Sequence, residues 1–209
     1  MPVFKQYTEN SYRWGIWKTS ESLEEMLALL PHKGKYEEGI GKFAAGSRRL
    51  EWLAVRVLLY TMFGEEKEIR YYSNGKPYLA DGSFSISISH TKGYVVVLLG
   101  DPKKEVGIDI EYYSERVRKV AHKFMRADEQ ESLFRGTETW SLLLHWSAKE
   151  TMFKCMNAFD VDFREHLHVM PFKIDEQGVF SAAEYRTAEK RNFQIHYYLF
   201  PDFVLTLSL

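Results

Sequence analysis

Apolar residues recur along the chain with two different periods, and these periods predict helices and strands. In the first half, leucines and valines at helical spacing predict a long helix that starts near Ser47, a candidate N-cap, and stops at Gly64. A shorter helical pattern occupies SLEEMLALLP, and strand patterns occupy YRWGIW, FSISIS and YVVVLLG. Asn74-Gly75 predicts a tight turn, and HTKG between the last two strand patterns predicts a hairpin connection.

The second half follows a similar order of elements without repeating the residues of the first. The strand-like VGIDIE at 106–111 precedes a helical region at about 114–134 and a long helix at about 138–157. Four strand patterns follow, namely HLHVMPFKI, GVFSAAEY, FQIHYYLF and FVLTLSL. The charged, turn-rich GDPKKE at 100–105 marks a junction. We therefore predict an α+β fold with two similar subdomains, 1–102 and 103–209, each a long helix packed on a small, mostly antiparallel sheet.

Composition narrows the class of protein. The chain has 209 residues, 45% of them hydrophobic, which is enough to bury one or two compact cores. A formal net charge of −1 gives no general attraction to nucleic acid or membranes. The longest purely apolar run, VVVLL at 95–99, has the length of a strand, and the N-terminus lacks a signal-peptide pattern. The single cysteine, Cys155, cannot form an internal disulfide and fits a core position. We expect a cytoplasmic protein that binds neither membranes nor nucleic acid.

Two acids in VGIDIE share one face of the predicted strand. Asp109 and Glu111 lie about 6.6 Å apart along it, while Val106, Ile108 and Ile110 point the other way. Neighbouring carboxylates repel unless a cation lies between them, and their hard oxygen atoms suit Mg²⁺. Taken alone, however, the pattern favours an edge strand with a solvated acidic face over a metal site.

The predicted second long helix contains WSAKETMFK, residues 146–154. Glu150 and Lys154 are four residues apart on one face, which also fits an ordinary surface ion pair. Apolar neighbours, including Trp146, Met152 and Phe153, argue against a freely solvated face. If this face meets the two acids of VGIDIE, it adds a third carboxylate and a lysine to a site for a metal and a phosphate.

Basic residues occupy positions from which they could contact a phosphate. Arg48 and Arg49 lie in the first turn of the first long helix, where cations oppose the helix dipole, so a phosphate site and a solvated pair are both open. Lys76 lies on the predicted tight turn, where most lysines are simply solvated. His90 ends a strand and is either a turn residue or a phosphate contact.

Taken together, these segments resemble a known family. GIDIE, followed about forty residues later by WSAKETMFK, resembles the signature of 4'-phosphopantetheinyl transferases. NGKPYL and SISHT match two blocks of the larger single-chain subfamily, typified by the enzyme that activates surfactin synthetase, and RRLEWLAVR is similar to its N-terminal arginine helix. The resemblance covers roughly residues 46–157. It implies a pseudo-dimer of two fused α+β units, monomeric in solution, with the active site in the cleft between them.

The resemblance assigns roles to residues of the acidic site. It implies that Asp109, Glu111 and Glu150 hold Mg²⁺, and that Glu150 or a water on the metal is the base for the carrier serine. Lys154 matches the lysine that neutralises or protonates the pyrophosphate leaving oxygen, and Lys149 matches a neighbouring phosphate contact.

The resemblance also implies contacts to coenzyme A, the co-substrate. The residues that match the adenine end are Gly75, Lys76 and Pro77, and those that match the 3'-phosphate are Ser89, His90, Arg48 and, with a weaker match, Arg49. The upstream residues Lys33, Lys35 and Lys42 cannot be aligned without a gap. Thr151 departs from the family pattern, which usually has alanine or serine there.

The reaction implied by the resemblance moves 4'-phosphopantetheine from coenzyme A to a serine of an apo acyl, peptidyl or aryl carrier protein and releases 3',5'-ADP. One alternative is a metal-dependent phosphohydrolase or nuclease. The E-x-K nuclease pattern, however, spaces its acid and lysine by two residues on a strand, whereas Glu150 and Lys154 are four residues apart on a predicted helix. The other is a non-catalytic module that binds coenzyme A or a carrier, which would not require three acids and Lys154. The pathway of the carrier is not apparent, and exposed apolar residues in 112–135 are one place where it could dock.

Overall fold

The chain divides into two compact units, Met1–Lys104 and Glu105–Leu209. The computed structural model describes residues 3–9 and 11–209. In each unit one long helix packs on an antiparallel sheet, so the predicted α+β class is confirmed. No helix in the described ranges is both long and apolar enough to span a membrane.

The first unit is built around a four-stranded antiparallel sheet. The six strands of the unit are β1 (Val3–Thr8), β2 (Arg13–Lys18), β3 (Ile69–Tyr71), β4 (Pro77–Leu79), β5 (Ser85–Thr91) and β6 (Tyr94–Gly100). The helices of the unit are α1 (Leu23–Ala28), α2 (Lys33–Gly41) and α3 (Gly46–Phe63). The sheet has the order β1-β2-β6-β5, and β3 pairs with β4 in a separate hairpin. Leu53, Val57 and Leu58 of α3 share an apolar core with Val95 and Val97 of β6.

The start of α3 differs from the prediction, whereas its end agrees. The helix begins at Gly46 after an extended Ala45, and the amide of Arg49 donates to the carbonyl of Ala45. The prediction that Ser47 caps the helix is therefore wrong, because Ser47 already lies inside the first turn. Gly64 ends the helix as predicted, with φ +73° and its amide 2.8 Å from the carbonyl oxygen of Tyr60.

The second unit has a five-stranded antiparallel sheet covered by one long helix. Its strands are β7 (Gly107–Tyr112), β8 (Leu167–Val169), β9 (Gln177–Glu184), β10 (Asn192–Leu199) and β11 (Phe203–Ser208), and its helices are α4 (Arg116–Val120), α5 (Thr139–Cys155) and α6 (Phe163–His166). In the order β7-β11-β10-β9-β8, β7 is an edge strand that pairs with β11. Leu144, Ala148 and Met152 of α5 share an apolar core with Ile195 and Val204 of the sheet.

Strand β7 packs very closely on α5 where it begins. A Cβ atom added to Gly107 would lie 2.2 Å from the carbonyl oxygen of Thr151 and 2.7 Å from Sγ of Cys155. Only a residue without a side chain fits this contact. Gly107 therefore allows the residues that follow it on β7 to approach the helix.

The helix predicted at about 114–134 is mostly absent. Helical structure covers α4 and a 3₁₀ turn at 121–123, and the chain then runs through loops to α5. The carboxylate of Glu129 in this loop accepts hydrogen bonds from the backbone N–H groups of Arg126 and of Val169 in β8. Such side-chain bonds to the backbone compete with a helix, and hydrophobic periodicity does not reveal them. Five observed elements have no predicted counterpart, namely β1, β3, β4, α2 and α6, although the turn between β3 and β4 was predicted.

Candidate functional site

The acidic face of β7 lies against α5. Ser147 donates a 2.8 Å hydrogen bond to Oδ2 of Asp109, and the indole N–H of Trp146 donates a 2.7 Å bond to Oε1 of Glu111. Asp109 is only 3% exposed. A solvated acidic face, the interpretation favoured by the strand pattern alone, is therefore wrong for Asp109.

Lys154 of α5 reaches across to the same strand. Its ammonium nitrogen lies 2.8 Å from Oδ1 of Asp109 and 2.8 Å from the carbonyl oxygen of Ile108. It therefore pairs with the strand acid, not with Glu150 one helical turn earlier as an isolated helix would suggest. Glu150 is half-buried and close enough to Asp109 for their charges to interact. The structure thus brings together all four residues that were predicted to form the acidic site.

Burial changes the protonation of two of these acids. Burial raises the pKa of Glu111 to about 7, to which repulsion by Asp109 adds while the bond from Trp146 opposes it. Burial also raises the pKa of Glu150 to about 7, again with a contribution from Asp109. Both glutamates can therefore exchange a proton near neutral pH, as a general base must.

The chemistry of this cluster fits a magnesium ion. Among the residues that the structure describes, no three histidine, cysteine, aspartate or glutamate side chains are arranged so that they could hold a metal as they stand. Lys154 supplies the positive charge beside Asp109 in this arrangement. The three carboxylates nevertheless offer the hard oxygen donors that Mg²⁺ prefers, and a cation would relieve the repulsion that raises the pKa of Glu111. Asp109, Glu111 and Glu150 are the residues that would hold it.

Lys149 lies in different surroundings from Lys154. Its side chain is completely buried, and its ammonium group donates to Oε2 of Glu129 at 2.8 Å and to the carbonyl oxygens of Phe124 and Phe163 at 2.6 and 3.1 Å. Burial lowers the pKa of Lys149, although the charge of Glu129 opposes this. All three ammonium protons thus have acceptors in the protein, and this arrangement gives the predicted phosphate contact no support.

In the first unit, Arg48 and His90 meet in a pocket. Nη1 of Arg48 lies 2.8 Å from Nε2 of His90, and Glu51 lies beside both, 3.2 Å from Arg48 and 3.6 Å from His90. The pocket has a volume of about 380 Å³ and is lined by Phe43, Arg48, Glu51, Trp52, Val55, Arg56, Tyr71, Ile88 and His90. Three basic side chains, Arg48, Arg56 and His90, and one acid, Glu51, therefore line a cavity whose other walls are apolar and aromatic.

The remaining predicted coenzyme A contacts are not among the residues that line this pocket. Gly75 (φ +84°) and Lys76 lie in the turn of the β3–β4 hairpin, and Pro77 begins its second strand and pairs with Tyr71 of the pocket wall. Ser89 is buried within β5. Arg49 turns back to donate a 2.7 Å bond from Nε to the carbonyl oxygen of Phe43.

Several residues of these sites were not predicted, and some left a signal in the sequence. Arg48, Trp52 and Arg56 are spaced by four residues and so share one face of α3, and Arg56 stacks 3.5 Å from the ring of Trp52. Ser147 precedes Glu150 by three residues, which places both on one face of α5. Thr206 lies opposite Asp109 in the β7–β11 ladder, a pairing that local periodicity cannot reveal.

Comparison with known proteins matches the sequence of the second unit to a protein family. Residues 105–208 match the sequence model of a family described as the 4'-phosphopantetheinyl transferase superfamily. A phosphopantetheinyl transferase of Thraustochytrium sp. (strain ATCC 26185 / S-3) is 39% identical over 88 residues, which cover 37% of this chain and 30% of that protein. The chain thus spans less than a third of the length of this relative. Through residues 105–208, about half of its length, the chain belongs to the 4'-phosphopantetheinyl transferase superfamily.

Proposed function

We propose that the protein transfers 4'-phosphopantetheine from coenzyme A to a serine of an apo acyl, peptidyl or aryl carrier protein, with Mg²⁺, and releases 3',5'-ADP. The observation that carries this proposal is the convergence of Asp109, Glu111, Glu150 and Lys154 between β7 and α5, inside the residues that match the family. The name of the Thraustochytrium relative supports the same activity. Two α+β units within 209 residues support the larger single-chain type of transferase.

In the proposed reaction, the serine oxygen of the carrier forms a bond to the β-phosphorus of coenzyme A. The bond between that phosphorus and the bridging oxygen breaks, and 3',5'-ADP leaves. Glu150, the acid one helical turn before Lys154, accepts the serine proton. Lys154 donates two of its three protons to Asp109 and Ile108, and the third can stabilise the leaving phosphate oxygen. A magnesium ion bound by the three acids would neutralise charge on the diphosphate.

The pocket of the first unit suits the other end of coenzyme A. Arg48 provides positive charge and N–H donors for the 3'-phosphate, and His90 lies beside it with Nε2 accepting a hydrogen bond from Arg48. Trp52 and Ile88 provide an apolar wall for the adenine ring.

The products formed from coenzyme A test this proposal against its alternatives. The protein is incubated with coenzyme A and Mg²⁺, with and without an apo carrier protein, and the nucleotides are separated by chromatography. Transfer predicts that 3',5'-ADP appears only with the carrier and in equal amount to the modified carrier. Coenzyme A cleaved equally without a carrier would indicate a hydrolase, and coenzyme A left intact throughout would indicate a binding module; either result contradicts the proposal.

A further inference from the structure

A row of buried hydroxyl groups leads through the second unit to Asp109. Oγ of Ser147 lies 2.8 Å from Oδ2 of Asp109 and 2.8 Å from Oγ1 of Thr206. Oγ1 of Thr206 in turn lies 2.7 Å from Oγ1 of Thr151. All four side chains are buried, and the three hydroxyl residues come from two elements, α5 and β11.

The number of protons fixes the direction of these hydrogen bonds. Each hydroxyl has one proton to donate, and Ser147 gives its proton to the carboxylate of Asp109. Ser147 must therefore accept from Thr206, and Thr206, having given its proton, must accept from Thr151. The carbonyl oxygen of Thr206, 3.2 Å from Oγ1 of Thr151, is the longer and weaker alternative for that last proton. The row thus donates in one direction, from Thr151 through Thr206 and Ser147 to Asp109.

We infer that Ser147, Thr206 and Thr151 are positioning residues that fix the carboxylate of Asp109 for cation binding. The bond from Ser147 holds Oδ2, so that Oδ1 is the oxygen presented to Lys154. Hydrogen bonds aligned in series strengthen one another, and hydroxyls buried without partners would destabilise the unit. The inference rests on the proposed function in one respect, because the cation of interest is the magnesium ion of that proposal.

The inference predicts a graded loss of magnesium affinity along the row. Ser147→Ala removes the bond to Asp109 and should weaken Mg²⁺ binding about tenfold or more, as is typical when a group that orients a metal ligand is removed. Thr206→Val keeps the shape of the side chain but removes the hydrogen bond that Thr206 donates to Ser147. Ser147 can still donate to Asp109, so the effect on Mg²⁺ affinity should be smaller. Thr151→Val should have the smallest effect. Thr206→Ser restores the hydroxyl and should restore the affinity.

Thr139→Val is the matched control. Thr139 is a fully buried threonine of the same helix whose hydroxyl also bonds to a carboxylate, at 3.0 Å from Oε1 of Glu115. Its substitution should reduce stability to a similar extent as Thr206→Val without changing Mg²⁺ affinity. A purely structural role for the row predicts instead that affinity does not follow the order of the hydroxyls.

Isothermal titration of the full chain with MgCl₂ alone, without coenzyme A or carrier, measures these affinities, and circular dichroism shows which variants are folded. Wild-type affinity in folded Ser147→Ala and Thr206→Val would overturn the inference even if transfer is observed. Crystal structures of wild type and Ser147→Ala give a second readout, in which the carboxylate of Asp109 should rotate, and an unmoved carboxylate would also overturn it. A wild-type protein that does not bind Mg²⁺ would contradict the metal part of the proposed function, and the crystal structures would then decide the inference.

Discussion

Lys149 and Lys154 lie five residues apart on α5, and their ammonium groups have different surroundings. Lys154 remains partly exposed and contacts the acid that is proposed to face the substrate, whereas Lys149 is sealed in the core against Glu129. The family resemblance links both lysines to phosphate, and the contacts support this role for Lys154 alone. At the residue scale, burial therefore separates two lysines that look equivalent in the sequence.

We expect Lys149→Met to reduce the free energy of unfolding by about 3–5 kcal/mol, because it leaves the buried Glu129 carboxylate without its cation. Urea denaturation measures the loss. The double variant Lys149→Met/Glu129→Gln should recover a large part of it, since no uncompensated charge remains. A stable single variant with a raised KM for coenzyme A would instead identify Lys149 as a phosphate contact.

The pocket of the first unit gives a second prediction at this scale. If Arg48 binds the 3'-phosphate, Arg48→Ala should remove most of the preference for coenzyme A over dephospho-coenzyme A. The ratio of kcat/KM for the two substrates should fall about tenfold or more, because a hydrogen bond to a charged group is lost. Steady-state kinetics with both substrates measure this preference. Arg49→Ala is the control, because Arg49 bonds to the backbone of Phe43 and should leave the preference intact. Equal preference in wild type and Arg48→Ala would exclude the assignment of Arg48.

At the scale of elements, the contact between β7 and α5 creates the acidic cluster. The strand supplies Asp109 and Glu111, and the helix supplies the groups that bond to them. Gly107 permits the close approach of the two elements. The order of the larger elements follows from hydrophobic periodicity, but their contact does not, because it depends on residues distant in sequence.

Gly107→Ala should separate β7 from α5 and displace Asp109. The added methyl group would meet the backbone oxygen of Thr151, which cannot move freely, so we expect a loss of about 1–3 kcal/mol in stability and a large fall in transfer rate. Gly41→Ala is the control, because a Cβ at this helical position meets nothing within 4 Å. Urea denaturation and transfer assays compare the two variants. Equal stability and activity would refute the close packing at Gly107.

The connection between β9 and β10 gives a prediction about pH. Glu184 is buried, and although burial opposes its ionisation, bonds from Thr187 and from the amides of Arg191 and Arg186 lower its pKa. Because the pKa is lowered in the folded state, ionised Glu184 stabilises the fold at pH values above its pKa in the unfolded chain, about 4.3. This stabilisation disappears as the pH falls through the pKa of the folded state. Wild type should therefore exceed Glu184→Gln in stability at pH 7, and the difference should shrink below about pH 4. A difference that stays constant with pH in denaturation experiments would contradict this role.

The sequence pattern did not predict some elements correctly, and the structure shows the physical reasons. The helical pattern at about 114–134 ends early because Glu129 and Lys149 satisfy backbone groups of the loop from their side chains. Strand β1 has mostly exposed residues, so it has no clear apolar pattern to predict it. Periodicity predicts elements that bury one face and fails where hydrogen bonds or pairing decide the structure.

At the scale of the whole molecule, two α+β units could be predicted because each half contains a long, strongly apolar helix and several strand patterns. The acidic site could be predicted because its residues lie in segments that resemble a family. The hydroxyl groups that support Asp109 could not be predicted, since Thr206 lies in the strand pattern FVLTLSL, where periodicity does not show which distant residue it will contact. Its place beside Asp109 depends on the pairing of the first and last strands of the unit.

Modification of a carrier protein by this chain would change the mass of the carrier, which can be measured on the intact protein. A panel of apo carriers from fatty-acid, polyketide and nonribosomal-peptide synthesis is incubated with the protein, coenzyme A and Mg²⁺ and analysed by intact-mass spectrometry. We predict that at least one carrier gains the mass of one phosphopantetheine group on a serine, and that Glu150→Gln abolishes the gain while still binding coenzyme A. Carriers that stay unmodified throughout, with a folded wild-type protein that binds coenzyme A, would show that the chain does not transfer phosphopantetheine to them and would contradict the proposed function.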